Sequence, residues 1–96
     1  MLTVSQIRKV LDTLYDGEPQ TTFWIFQIRS FYAKKDDRTR EFAVYLWLIR
    51  NGITGRRLVE FFEMHNRSFL NGLNTIINRM EGRRYSSEAI TIQEAL

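Results

Sequence analysis

The stretch "NGITGRRLVEFFEMHNRSFLNGLNTIINRM", Asn51 to Met80, decides how the chain is read. Gly52 is placed to end a helix, and Thr54 to cap the next. A short helix from Gly55 to Glu63 follows, then a second from Arg67 to about Met80, with His65 or Asn66 as its cap. Leu58, Phe62 and Met64 supply the apolar positions of the first helix and the turn. Phe69, Leu73, Ile76 and Met80 recur at i, i+4, i+7 and i+11, along one side of the second helix. Two short helices this close predict a helix-turn-helix over about 54–80.

The other side of the second helix carries Arg67, Ser68, Asn71, Asn74, Thr75 and Asn78. Asparagine bonds adenine through two atoms, arginine reads guanine or grips phosphate, and serine and threonine reach either. Arg56 and Arg57 open the first helix, where a backbone contact is expected. Arg79 extends that contact, with Arg83 and Arg84 beyond it. Asparagine is a poor interior helix former, so Asn66, Asn71, Asn74 and Asn78 have no evident stability reason. Three positions depart from the usual motif. Val59 stands where a small residue is customary, and Glu63 where the turn favours glycine. Gly72, inside the second helix, costs about 1 kcal/mol relative to alanine, which a close backbone approach there would justify.

Working outward, "EFAVYLWLI", Glu41 to Ile49, is the most apolar segment and predicts a central helix. Asp36 or Asp37 caps it and Gly52 closes it. Its stripe is Phe42, Tyr45, Leu46 and Ile49, widened by Trp47 and Leu48. "QTTFWIFQIRSFYAKK", Gln20 to Lys35, reads as a helix through Trp24, Ile28, Phe31 and Tyr32, although its β-branched and aromatic residues also suit a strand. Thr21 or Thr22 is placed to cap it, and Lys34 and Lys35 fall in its last turn. A first helix from about Thr3 to Tyr15 buries Val4, Ile7, Val10, Leu11 and Leu14, and Asp16 to Pro19 ends it. The expectation is a small all-α domain of about five helices spanning 1–96, with 81–96 a polar tail, either a frayed helix or a segment docked on a second subunit.

The chain has 96 residues, no cysteine and a formal net charge of +3. One domain is all that this length accommodates. Without cysteine there are no disulfides or thiolate ligands, and a reducing, cytoplasmic setting is natural. No apolar run approaches the ~18–20 residues of a membrane span, and the N-terminus lacks the pattern of a secretory leader. The positive charge is concentrated: Arg50 to Arg84 holds seven arginines against three glutamates. His65, the only histidine, has no ligating neighbours in the sequence, so a cap, turn or phosphate-contact role is expected and no metal site. Asp36-Asp37 reads as a helix cap rather than a catalytic pair. No nucleophile–base pair, phosphate loop or ligand spacing is present, so neither an enzyme nor a cofactor is expected.

The same residues resemble the PapB family of fimbrial (adhesin biosynthesis) transcription regulators. Arg40, the run "FWIFQI" (Phe23 to Ile28) and the segment Asn51 to Arg79 carry the resemblance. Gly52, Thr54, Arg56, Glu60, Phe62, Met64, Asn66, Phe69 and Leu73 fall on the family pattern without a gap, and the N-terminal third matches weakly. The resemblance implies a regulator of a fimbrial operon that binds AT-rich double-stranded DNA as an oligomer. It assigns the contacts to Arg56, Arg57, Arg67, Ser68, Asn71, Asn74 and Asn78.

Two other classes compete. One is a small interaction module that docks a larger transcription or replication protein through its aromatics. The other is an RNA-binding or nucleoid-type protein that uses charge alone. A lone helix-turn-helix buries little area on DNA, so a homo-oligomer is expected. Phe23, Trp24, Phe26, Phe31 or the C-terminal segment would form its contacts.

Overall fold

The computed structural model describes residues 3–64 and 68–82 of the 96. Among them are five helices and no strand: α1 Val4–Leu14, α2 Pro19–Ala33, α3 Arg38–Arg50, α4 Arg56–Met64 and α5 Phe69–Gly82. The expected caps His65 and Asn66, the expected contacts Arg67, Arg83 and Arg84, and the tail from 83 onward lie outside the described residues.

α3 is the centre, with α1, α2 and α5 packed on it; α4 packs on α2 and α5. Every residue from Glu41 to Leu48 is buried, whichever way its side chain projects. A helix enclosed on all sides must be apolar around its circumference, and this one is, save for one acid. Glu41 is buried and accepts a 2.8 Å hydrogen bond from the equally buried Tyr45 hydroxyl one turn on. A buried carboxylate requires such a donor, since unpaired burial costs several kcal/mol.

Helix ends follow local chemistry. Thr3 and Gln6 form a reciprocal capping box at the start of α1. α2 begins at Pro19, not at a threonine cap. Proline presets the first helical turn and lacks the N–H that would need a partner. Thr21 is instead buried in that turn, and Thr22 donates to the Glu18 carbonyl. α2 stops at Ala33, so Lys34 and Lys35 follow the last turn rather than occupying it. Asp36 holds the left-handed backbone position (φ 51°), and Asp37 N–H returns to Tyr32 O while Asp36 N–H returns to Ala33 O. That is a Schellman termination with aspartate in the place usually taken by glycine. Asp37 then caps α3, accepting from Arg40 N–H at 3.1 Å. The two adjacent acids therefore divide the work of ending one helix and starting the next. Gly52 (φ 70°) ends α3 in the same way, with Ile53 N–H on Leu48 O and Gly52 N–H on Ile49 O.

Val10 and Leu14 of α1 are buried and Ile7 and Leu11 partly so, as the spacing predicts. Val4 is exposed: it is the first residue of the helix, a turn and a half before the first buried position. No helix among the described residues is long and apolar enough to cross a membrane.

Candidate nucleic-acid interface

α4 and α5 owe their orientation to aromatic packing. Leu58 and Phe62 are fully buried, and Val59 and Phe61 nearly so. Trp24 of α2 stacks on Phe62 at 4.9 Å between ring centroids, and Phe62 stacks on Phe69 at 5.7 Å. Phe31 meets Phe69 at 6.2 Å. The first residue of α5 is thus clamped between α2 and α4, while Leu73, Ile76 and Met80 bury the rest of the same side. Trp24 and Phe31 belong to this clamp, so they are not free for a second subunit as the sequence suggested. Phe23 and Phe26 remain exposed. Met64, expected among the apolar positions of the motif, is also exposed.

At about 100° per residue, burying 69, 73, 76 and 80 fixes where the others point. Asn71, Asn74 and Asn78 lie on the opposite side and are all exposed. Gly72 is buried, which places it toward the packed side. Thr75 is half-buried at the edge of the asparagine row. Its hydroxyl donates to the Asn71 carbonyl at 2.9 Å, the usual back-bonding of threonine within a helix. Ser68 precedes α5 instead of lying within it; its carbonyl accepts from Asn71 N–H and its side chain is exposed. Arg79 is exposed on the same edge, one turn beyond Thr75, its guanidinium 5.9 Å from the centre of the Phe61 ring.

Arg56 and Arg57 are exposed in the first turn of α4. That turn is held by the end of α1: Gly55 N–H donates to Leu14 O at 2.9 Å. The Asp16 side chain lies against Gly55, 3.2 Å from where a β-carbon would stand. Glu18 N–H donates to Asp16 Oδ1 at 3.0 Å. That bond holds the Asp16 carboxyl below its ordinary pKa of 3.8, with smaller help from the Thr21 hydroxyl and the Arg56 charge. The Thr21 hydroxyl is buried and has no hydrogen-bond partner, so it acts on Asp16 through proximity alone.

Of the expected contacts, Arg56, Arg57, Ser68, Asn71, Asn74, Asn78 and Arg79 are exposed on α4, α5 or the approach to α5, and Thr75 flanks them. A row of amides at i, i+3 and i+7 presents donors and acceptors on one helix face, the chemistry that base edges require. Among the described residues no cluster of three acids or histidines is placed to hold a metal ion. No protein-family model, curated protein or solved structure matches the chain.

Proposed function

We propose that the chain is a transcription regulator that binds double-stranded DNA, with α5 as the reading helix of a helix-turn-helix and α4 bearing on the backbone. The observation that carries the proposal is the exposed row Asn71, Asn74 and Asn78. The exposed Arg56 and Arg57, together with the local excess of arginine, supply the phosphate-binding charge that such reading needs. The likeness of Asn51 to Arg79 to the PapB pattern narrows the role to a fimbrial or adhesin operon, with AT-rich DNA as target and oligomers as the binding form in the cytoplasm. Asparagine facing adenine agrees with an AT-rich target.

The test is fluorescence anisotropy on duplexes selected from a random pool, titrated across salt. Log affinity should fall linearly with log salt. Asn71→Ala and Asn74→Ala should each weaken the selected duplex by about 1–3 kcal/mol, roughly five- to 150-fold, while leaving random duplex nearly unchanged. Equal affinity for selected and random duplexes would identify a binder that uses charge alone. A second reading, docking onto a larger protein, draws on the exposed Phe23 and Phe26; it predicts that neither asparagine variant changes partner capture.

A further inference from the structure

Every apolar side chain of α5 but one is drawn into the core. Leu73, Ile76 and Met80 are buried, and Phe69 and Ile77 pack partly buried against the same cluster. Leu70, in the first turn of the helix, is 51% exposed and takes no part in it. At about 100° per residue, Leu70 stands about 40° from Asn74 around the helix axis. Such an i, i+4 pair lies side by side on a helix surface, with β-carbons about 5–6 Å apart, and Asn71 follows Leu70 directly in the chain. The exposed amide row therefore has two unlike borders: Thr75 and Arg79 edge it on one side, and a leucine edges it on the other. An exposed leucine alone is ordinary on a protein surface. Its place against Asn71 and Asn74 is what points to a ligand.

We propose that Leu70 is a specificity-determining residue of the DNA site, packing on the C5-methyl of a thymine in the pair that Asn74 reads or in the pair adjoining it. The inference rests on the reading of α5 as the DNA-binding helix. An asparagine that bonds adenine N6 and N7 works in the major groove, where every A·T pair also presents the thymine methyl. An amide has no favourable partner in that methyl, whereas an apolar side chain beside the amide does. The first residues of a reading helix are those that reach base edges, and Leu70 belongs to that turn. Contact would remove apolar surface of both groups from water and would be lost on a C·G pair, whose pyrimidine lacks the methyl. Arg56 and Arg57 add affinity without sequence information; Leu70 adds sequence information without charge.

The experiment is a thermodynamic cycle between one side chain and one methyl group, read by anisotropy. Thymines of the selected duplex are replaced singly by deoxyuridine, which keeps the base pair and removes only the methyl. The unaltered protein should lose about fourfold in affinity at one or two of these positions, the effect of one buried methyl-sized group. Leu70→Ala should bind the thymine duplex at least that much more weakly and should no longer distinguish thymine from deoxyuridine there. Its salt slope should match the original, because no charge changes. No deoxyuridine effect on the unaltered protein, with Asn71→Ala still impaired, would overturn the role of Leu70 and leave the DNA reading standing. Equal deoxyuridine losses in Leu70→Ala and the original would assign the methyl contact to another residue and also overturn it. Weaker binding of selected and random duplexes alike by Leu70→Ala, with a smaller assembly in sedimentation, would place Leu70 between copies of the chain and overturn it as well. Absence of DNA binding by the unaltered protein would overturn both.

Discussion

Tyr45→Phe removes one oxygen from the centre of the domain, and the structure gives its consequence in some detail. The lost hydroxyl is the donor to Glu41 Oε2 at 2.8 Å, and both residues are buried on α3. A hydrogen bond to a charged group contributes about 1.5–3 kcal/mol net, and removing it leaves the carboxylate without that donor. The expected loss is about 2–3 kcal/mol, which for a domain of this size lowers Tm by about 10–20 °C. Glu41→Met alone leaves a buried phenol without its acceptor and should cost about 1–3 kcal/mol. The double variant removes both polar groups together and should lie within about 1 kcal/mol of the original protein, well short of the two losses added. Urea melts followed by circular dichroism at pH 7, with unchanged m-values, measure all four corners of the cycle. Alkali adds a second signature. Burial, and then the adjacent Glu41 charge, push the Tyr45 phenol well above its ordinary 10.0. The unfolded chain releases that proton above pH 10 while the folded chain keeps it. Stability is therefore present below pH 10 and falls as pH rises past it, by about 1.4 kcal/mol per unit from this group. Tyr45→Phe should lack that contribution. A loss under about 0.5 kcal/mol at pH 7, or single losses that simply add, would refute the reasoning.

The other expectations concern the two helices of the candidate interface. Gly55→Ala puts a β-carbon at φ 54° and 3.2 Å from Asp16 Cβ. Left-handed backbone costs a non-glycine residue about 1–2 kcal/mol, so a thermal melt should show about that loss, and a melt matching the original would show that the α1–α4 junction yields freely. Replacing Asn71, Asn74 and Asn78 together by alanine should stabilise the domain by about 1–2 kcal/mol, from helix propensity alone, while abolishing discrimination between duplexes. A triple variant that is less stable would mean that the row supports the fold rather than a ligand.

The helices were readable in the sequence because apolar spacing and burial agree. The unbroken run at Phe42 to Leu48 could only be central, and 69, 73, 76 and 80 had to share a side. The helix ends were harder to read. Pro19 both follows α1 and starts α2, and a proline read only as a stop conceals its second use. The adjacent pair Asp36-Asp37 offers two caps for one helix until the chain path shows that one of them closes the previous helix. Thr3 and Gln6 hold the capping-box spacing in plain view, beside the stronger signal of the apolar stripe.

The candidate site divides in the same way. Its members on α5 were legible because they are the complement of the packed side, and a period of 3.6 residues fixes both sides at once. Trp24 and Phe31 read as surplus aromatics in the sequence because the rings they meet, Phe62 and Phe69, lie far along the chain, and periodicity within one helix says nothing about what faces it. What packing does not decide is why the outward positions are asparagine. Alanine, glutamate or lysine would serve solvent equally well and favour the helix by about 0.5 kcal/mol at each position. A domain whose total stability is only about 5–15 kcal/mol gives up a perceptible share of it by keeping three asparagines in one row, and the proposed reading of base edges would be a reason for doing so.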